Sequence, residues 1–372
     1  MIRYKDLYSL FLTSALVIIA SVFIFHAASS RQNNNSNNNK MAPNNNNNNN
    51  NKTNRNSTNK GSSDDSITVA HIGNSIQYYN DMPRLLEHML QTRYTNVYQN
   101  SCLRGGATLS SLFQEGNGMA NKFSSRPDVS WLDEENTYDI GAPTVEELLL
   151  SLSSSSTTSS SSTSTDAWKS SWDYIIMNDQ TQYPARPTKK SKSMDVLETN
   201  YLPLLLQQQQ ESAKVGSTSS STVIFIQTAA YKSPVKDSGD LGTFDEFTAK
   251  LRLGYLEYAQ LVRQQSNDQL QAMVAPVGFA YQVIKNQYGD DMWAKLYARD
   301  DFHPSPHGTL LEASVLFCTI TDEYPPSYDI SWWDTARYMQ PPETEPLPLP
   351  TQEEADVLRE VAWQVYQGYK QS

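Results

Sequence analysis

The chain has 372 residues and a formal net charge of −11. Lysine and arginine form no basic face outside short pairs, which excludes nucleic acid as an expected partner. Only two cysteines are present, Cys102 and Cys318, too few for a small scaffold held by disulfides. Both lie in apolar or glycine-rich sequence, so we expect buried free thiols, although pairing in an oxidising compartment stays open.

The first 28 residues have the character of a targeting segment. Arg3 and Lys5 lie in a short tail, residues 1–6, which we expect to be cytosolic, and an uncharged, mostly apolar run over residues 7–28 follows. We favour an uncleaved type II signal anchor, because the apolar run approaches the ~20 residues that span a bilayer. Ala27 and Ser29 leave cleavage as a signal peptide open. Either way the sequence predicts the secretory pathway: a single-pass protein of the Golgi or cell surface, or a secreted one.

Residues 29–66 are rich in asparagine and serine and predict a disordered stalk, because they cannot bury a core. Asn34, Asn51 and Asn56 lie in N-x-[ST] sequons, although so biased a tract also contains sequons by chance. The folded domain is expected over residues 67–335, with a serine-rich insert at 153–165. A proline-rich linker over 336–350 and a C-terminal helix over 351–372 complete the predicted organisation.

Strand-like and helix-like segments alternate from Ile67 onwards, which is typical of a parallel sheet covered by helices. Strands are predicted over residues 67–73, 95–102, 172–177, 221–230 and, more weakly, 270–278. Helices are predicted over residues 81–90, 144–152, 194–210, 243–265 and 308–320. The low-complexity runs 153–165 and 216–222 precede strands, so they are expected at the end of the sheet opposite to the carboxyl ends of the strands, where α/β proteins bind ligands.

Residues capable of acyl transfer follow the predicted strands. Ser75 follows the first strand, Gly106 the second and Asn178 the third, while Asp300 and His303 precede the helix at 308–320. A serine hydroxyl needs a base to take its proton, and an imidazole base needs a carboxylate to orient it. Backbone N–H groups and an amide side chain can stabilise the oxyanion. Each of these residues alone also fits a cap or a turn, so the prediction depends on their common placement at strand ends.

Four sequence blocks, in this order, resemble those of the SGNH (GDSL-type) hydrolase superfamily, and most of all its "GNS" esterase-like subgroup: "IGNSIQYYNDMPRLLE", "GGATL", "MNDQ" and "DDFHPSPHG". The resemblance covers residues 67–321. It implies a flavodoxin-like three-layer α/β/α sandwich with a central parallel sheet of about five strands. It also implies Ser75 as nucleophile, His303 as base, Asp300 as its orienting carboxylate, and an oxyanion hole made by Ser75, Gly106 and Asn178.

The chain departs from the family pattern in two blocks. Asn74 stands where the familiar form has aspartate, and the glycine that usually precedes Asn178 by two positions is missing. Gln180 or Gln182 therefore stays open as a replacement for Asn178. Asp301 and His307 are predicted to be bystanders. A zinc site between His303 and His307 is disfavoured by the two intervening prolines, and no metal or cofactor is expected.

The expected activity is hydrolysis of short acyl esters, such as acetyl esters on carbohydrate, with a small-molecule or polysaccharide ester as substrate. Tyr78, Tyr79 and Tyr183 are candidates for stacking on a sugar ring, although flanking tyrosines are more often packing residues. An O-acetyltransferase with the same residues, or a non-catalytic carbohydrate-binding protein on this fold, stays open. Membrane contact is predicted only through the N-terminal segment. The sequence leaves the oligomeric state open.

Overall fold

The structure, a computed structural model, describes residues 66–119, 141–152, 171–214, 220–233, 239–334 and 346–371. Within these ranges five strands form one parallel sheet in the order β2-β1-β3-β4-β5. The strands are β1 (Ser66–Gly73), β2 (Asn96–Leu103), β3 (Tyr174–Met177), β4 (Thr222–Ile226) and β5 (Gln271–Ala275). The sheet confirms the predicted parallel architecture.

Ten α-helices are present in the same ranges: α1 (Ser75–Tyr78), α2 (Met82–Gln91), α3 (Leu109–Glu115), α4 (Val145–Leu150), α5 (Pro187–Val196), α6 (Leu202–Lys214), α7 (Phe244–Gln265), α8 (Val277–Lys295), α9 (Pro306–Thr321) and α10 (Gln352–Lys370). A single π-helical turn, Leu197–Tyr201, joins α5 to α6, and 3-10 turns cover Tyr79–Asp81 and Ile330–Asp334.

The strands are buried on both faces. Along β4, Val223 and Phe225 belong to one apolar cluster while Ile224 and Ile226 belong to another, as the two-residue period of a strand requires. One cluster contains residues of α2, α8, α9 and α10, and the other contains residues of α3, α4, α6 and α7. Two helical layers therefore enclose the sheet, and the predicted three-layer α/β/α fold is confirmed.

The connections reverse direction beside β1, because β2 lies on one side of it and β3 on the other. Such a switch point opens a crevice at the carboxyl ends of the strands. The residues that leave these three strands, Asn74 after β1, Arg104 after β2 and Asn178 after β3, therefore meet at one edge of the sheet. The fold thus places three of the four sequence blocks side by side.

The helices differ from the prediction in several places: the short helix α1 and the helix α3 were not predicted. The helix expected over 194–210 starts earlier, with Pro187 in its first turn. The segment before Met194 is polar, so it lacks the apolar periodicity by which the start could have been predicted. The helix α8 was not predicted either; the strand predicted over 270–278 ends at Ala275, and Val277 and Gly278 already belong to α8, whose buried apolar residues pack into the core. The strand predicted to end at residue 230 ends at Ile226.

The predicted C-terminal helix, α10, begins with a capping box, in which Thr351 accepts from the Glu354 N–H and Glu354 accepts from the Thr351 N–H. Its apolar stripe, Ala355, Leu358, Val361 and Ala362, is buried in the same core cluster as α9. Both cysteines are buried free thiols, as expected, and burial raises the pKa of Cys102 to about 12.

Several predictions fall on residues outside the described ranges: the tail 1–6, the signal anchor 7–28, almost all of the stalk 29–66 and the insert 153–165. Among the described helices, none combines the length and the apolarity that a membrane crossing requires. The predicted domain limits stay predictions.

Candidate active site

The turn that carries the predicted nucleophile, residues 73–75, follows directly from β1, and we call it the nucleophile turn. Asn74 is the N-cap of α1, with an extended backbone and a side-chain oxygen that accepts from the Ile76 N–H at 3.2 Å. Ser75 thus becomes the first residue of the helix, with 8% of its surface exposed. Gly73 has to be glycine, because a Cβ there would lie 1.9 Å from the Asn178 side-chain oxygen.

The predicted base and its carboxylate lie beside the serine. His303 Nε2 is 2.7 Å from Ser75 Oγ, and His303 Nδ1 is 2.6 Å from Asp300 Oδ2. The other oxygen of Asp300 accepts from the backbone N–H groups of Phe302 and His303 at 3.2 and 3.0 Å. The Asp-x-x-His spacing therefore closes a tight loop in which one carboxylate orients both the backbone and the imidazole.

Electrostatics favour the ionised form of Asp300. Partial burial works to raise the pKa of this carboxyl, but the hydrogen bonds from the side chain and backbone of His303 hold it below its usual value. An ionised Asp300 fixes the proton on His303 Nδ1 and leaves Nε2 as the acceptor that faces Ser75. This is the arrangement that a serine nucleophile requires.

Two aromatic rings contact the imidazole. The Tyr79 ring lies parallel to it, with 3.9 Å between centroids and 3° between planes, and Phe302 lies at 3.9 Å with a tilt of 41°. Burial and the charge of Asp300 raise the pKa of Tyr79. The sequence suggested Tyr79 for stacking on a sugar, whereas one face of its ring packs on His303.

The turn after Tyr79 connects the serine block to the histidine block. Asn80 and Asp81 both have left-handed backbones, with φ of 50° and 56°. Asn80 is buried, and its amide donates to the Pro304 carbonyl at 2.9 Å and to Thr309 Oγ1 at 3.0 Å. Asparagine and aspartate tolerate this conformation better than most residues. An adjacent Asn-Asp pair is a sequence signal for such a turn, but it does not indicate the contact with the histidine loop.

Asn74 connects three blocks through one buried amide. Its oxygen accepts from Ile76 N–H and from Asn178 Nδ2, and its nitrogen donates to the Ala107 carbonyl at 2.9 Å. An aspartate could accept the first two bonds but could not donate the third. The departure from the familiar Gly-Asp-Ser form therefore has a structural role, since Asn74 fastens the loop that contains Gly106.

Gly106 lies in a β-turn closed by the Ala107 N–H, which donates to the Arg104 carbonyl at 3.2 Å. Its φ of +65° suits glycine, and a Cβ there would meet no atom of the described residues within 4 Å. In the described ranges its N–H donates to no protein acceptor. The group is thus available to a ligand.

Asn178 lies at the site, but its amide is already occupied. Its Nδ2 donates to Asn74 Oδ1 at 2.8 Å and to the Asp179 carbonyl at 3.1 Å, and its Oδ1 accepts from Gln77 Nε2 at 2.9 Å. To donate to an oxyanion, Nδ2 would have to give up one of these acceptors. The oxyanion role of Asn178 stays a prediction. The alternatives Gln180 and Gln182 instead direct their amide nitrogens at the Tyr231 hydroxyl.

The predicted bystanders have partners of their own. Asp301 accepts from Lys232 Nζ and from Ser233 Oγ at 2.7 Å each, which braces the histidine loop from outside. His307 Nε2 is 3.1 Å from a Glu354 carboxyl oxygen on α10. Since His303 contacts Ser75 and His307 contacts Glu354, the two imidazoles serve separate sites.

No family model matches the chain, and no curated protein matches it. Among solved structures it is similar to a Slackia heliotrinireducens protein provisionally assigned as an SGNH hydrolase, with 19% identity, a TM-score of 0.40, and coverage of 68% of this chain and 99% of that one. It is also similar to a DUF4886 family protein from Bacteroides uniformis, with 17% identity, a TM-score of 0.45, and coverage of 81% and 95%. A third is a catalytic mutant of an acetylxylan esterase from Geobacillus stearothermophilus, with 14% identity, a TM-score of 0.38, and coverage of 70% and 97%. At such identities the function has to be drawn from the side chains of the site.

Proposed function

We propose that the protein is a serine esterase of the SGNH type, which cleaves ester bonds through an acyl-enzyme on Ser75. The observation that carries this proposal is the continuous hydrogen-bonded line from Ser75 Oγ to His303 Nε2 and from His303 Nδ1 to Asp300, with lengths of 2.7 and 2.6 Å. The line lies at the carboxyl edge of the sheet, where the loop after β2 contains Gly106, whose N–H donates to no acceptor in the described ranges. A nucleophile, a base and an orienting carboxylate are therefore in contact, and the loop after the neighbouring strand offers an oxyanion donor.

The reaction uses each group in turn. His303 Nε2 takes the proton of Ser75 Oγ as the oxygen attacks the ester carbonyl. The N–H groups of Ser75 and Gly106 donate to the oxyanion that forms, and each donor lowers the activation barrier by about 3 kcal/mol. The tetrahedral intermediate expels the alkoxide, which takes the proton from His303 and leaves as the alcohol. Water then attacks the acyl-enzyme, His303 accepts its proton and returns it to Ser75 Oγ, and the acid departs.

A fluorophosphonate probe tests this proposal directly. The wild-type protein should be labelled, and Ser75→Ala should abolish labelling and ester hydrolysis, while Ser101→Ala, on the neighbouring strand, should leave both unchanged. Circular dichroism on all three proteins checks the fold. Folded wild-type protein that neither labels nor hydrolyses p-nitrophenyl acetate would overturn the assignment in favour of a binding protein.

The proposed acyl group is short. Tyr78 is buried, its hydroxyl is a hydrogen-bond partner of the Ser75 side chain, and a Cβ at Gly105 would lie 2.9 Å from that hydroxyl. The Tyr78 ring also packs against Leu103. The space on this side of the nucleophile is therefore filled by a phenol, which favours an acetyl group over longer chains.

A series of p-nitrophenyl esters from acetyl to octanoyl tests this size limit. The value of kcat/KM should fall with chain length, and Tyr78→Ala should shift the optimum toward longer chains. Tyr183→Ala is the control, because it removes a tyrosine that does not fill the space beside Ser75, and it should keep the acetyl preference. Faster turnover of octanoyl than of acetyl esters by the wild type would contradict the proposal.

We propose a polar alcohol, such as the hydroxyl of a carbohydrate, as the other half of the ester. Polar side chains support this choice: the Gln180 and Gln182 amides contact the Tyr231 hydroxyl, and the Tyr231 ring lies 5.7 Å edge-on from Phe302, next to His303. Acetate release from acetylated xylan, with p-nitrophenyl acetate as reference, tests it. Repeating the assay with added sugar acceptor separates hydrolysis from acetyl transfer, since a transferase would move the acetyl group to the sugar instead of releasing acetate.

The location in the secretory pathway is also a proposal and rests on the sequence of residues 7–28. Carbonate extraction of membranes from cells that express the full chain tests it. Retention in the pellet is expected for a signal anchor, and release of a shortened protein into the medium would indicate a cleaved signal peptide.

A further inference from the structure

The loop that presents Gly106 is held at both ends. We call residues 104–109 the oxyanion loop. At its start the Arg104 N–H donates to the Gly73 carbonyl at 3.1 Å, and in its middle the Ala107 carbonyl accepts from Asn74 at 2.9 Å. Both contacts come from the nucleophile turn. They tie the first part of the loop to the same strand that positions Ser75.

The far end of the loop is held by two buried side chains from elsewhere in the fold. The Leu109 N–H donates to Asp179 Oδ1 at 3.1 Å, and the Leu109 carbonyl accepts from the Tyr201 hydroxyl at 2.9 Å. Asp179 follows β3, and Tyr201 ends the π-helical turn between α5 and α6. Both polar backbone atoms of Leu109 are therefore bonded to side chains, three positions after Gly106.

The two oxygens of Asp179 have different partners. Oδ1 accepts from the backbone N–H groups of Leu109 and Gln180, whereas Oδ2 accepts from Ser193 Oγ at 2.5 Å and from the Tyr258 hydroxyl at 3.0 Å. The side chain is fully buried. Burial raises the pKa of Asp179, and the four hydrogen bonds oppose that rise. Oδ1 thus faces the oxyanion loop, while Oδ2 faces the core.

We infer that Asp179 and Tyr201 are positioning residues of the active site. They clamp the backbone N–H and carbonyl of Leu109 and thereby hold the Gly106 N–H where the oxyanion forms. The inference rests on the proposed function, because it assigns these side chains a part in the same reaction. In the "MNDQ" block, Asp179 then has a positioning role, which is distinct from the oxyanion role predicted for its neighbour Asn178.

The clamp matters because oxyanion donors work by being fixed in place before the charge develops. Small displacements of a positioned group cost large factors in rate, on the order of 100-fold for 1 Å. Gly106, at φ +65° and without a side chain, has little of its own to hold it. Its position is therefore set by the bonded residues on either side, and loosening one of them should lower kcat more than it changes KM.

A matched pair of substitutions separates positioning from simple stabilisation. Tyr201→Phe removes the hydroxyl that donates to the Leu109 carbonyl, and Tyr258→Phe removes the hydroxyl that donates to Asp179 Oδ2. Both tyrosines are fully buried. Both variants should lose stability. Tyr201→Phe should lower kcat on p-nitrophenyl acetate about tenfold with KM within twofold, whereas Tyr258→Phe should keep kcat within about twofold. Equal kcat values in the two variants would overturn the inference.

Hydrogen exchange provides a readout that does not depend on turnover. Peptides that cover residues 104–112 should exchange faster in Tyr201→Phe than in Tyr258→Phe, and an unchanged rate in Tyr201→Phe would count against the clamp. Asp179→Asn keeps an oxygen for Leu109 and Gln180, so its kcat should stay near wild type while Asp179→Ala loses activity. Wild-type protein without esterase activity would refute the proposed function, whereas an active wild type with unaffected Tyr201→Phe would refute only this inference.

Discussion

The ring of Tyr79 lies face to face on the imidazole of His303, with 3.9 Å between centroids and 3° between planes. The contact joins the turn that carries the serine to the loop that carries the base. In the proposed acyl transfer His303 becomes positively charged, and the face of an aromatic ring attracts a cation. We therefore expect Tyr79 both to position the imidazole and to stabilise its charged form in the transition state.

Two replacements of Tyr79 should separate the contribution of its ring to catalysis from that of its hydroxyl. We expect Tyr79→Leu to lower kcat/KM between about two- and tenfold, the range that corresponds to one aromatic contact. Tyr79→Phe keeps the ring and should stay within twofold of the wild type. Steady-state kinetics on p-nitrophenyl acetate measure both, and equal activity of the two variants would show that the stack does not contribute.

Asp300 and Asp301 are adjacent carboxylates with different partners. Asp300→Asn removes the charge that orients His303, so we expect kcat to fall about 1,000- to 10,000-fold. Asp301→Asn weakens a partly exposed ion pair with Lys232, which contributes about 0–1 kcal/mol, and should keep kcat within a few fold. A larger loss in Asp301→Asn than in Asp300→Asn would mean that Asp301, not Asp300, orients the base.

Asn74→Asp would restore the familiar Gly-Asp-Ser sequence, yet we expect it to be harmful. At pH 7 the new carboxylate would face the Ala107 carbonyl, which now accepts from the Asn74 amide at 2.9 Å, in a site that is 2% exposed. The expected loss is about 1–3 kcal/mol in the free energy of unfolding, with a lower kcat. The defect should shrink in acid, because a protonated aspartate can donate to that carbonyl.

Denaturant titrations of Asn74→Asp at pH 5 and pH 7 measure this dependence. Asn100→Asp is the control, since Asn100 is buried and is engaged through its oxygen, which accepts from the Ser101 N–H. A carboxylate can keep that bond, so the control should lose less stability at pH 7. Wild-type stability of Asn74→Asp at pH 7 would show that the donated bond to Ala107 is dispensable.

The contact among Ser75, His303 and Asp300 could be anticipated because each residue stands at a predictable place. Ser75 follows a strand that the apolar pattern identifies, and Asp300 lies three residues from His303, so a single loop brings them together. Parallel strands bring their carboxyl ends to one edge, which then places the serine near that loop. Local patterns and one rule of topology suffice for these three residues.

The supporting contacts could not be predicted in the same way. The hydrogen bond between Asp179 and Leu109 joins residues 70 positions apart, and that between Asn178 and Asn74 joins residues 104 apart. Their partners are set by how the strands pack, and "MNDQ" alone indicates only a turn. The sequence therefore predicted which side chains meet at the candidate site, whereas the folded structure was needed to identify what holds them.

Glu354 should contribute stability that depends on pH. Partial burial works to raise its pKa, but bonds from Lys295, the Thr351 N–H and His307 lower it from 4.5 to about 2. A carboxyl with a depressed pKa in the folded state stabilises the protein above its unfolded pKa, and this contribution is lost as the pH falls through the folded value. Glu354→Gln should therefore destabilise the protein at pH 7, by about 0.5–1 kcal/mol for a carboxylate that is still partly exposed, and the difference from wild type should shrink between pH 4.5 and pH 2. Glu353→Gln removes the same charge from the same helical turn at an exposed position and is the matched control. Urea unfolding of the three proteins across this range decides the matter, since a destabilisation of Glu354→Gln that stays constant down to pH 2 would show that the ionised carboxylate is not the source of the stability.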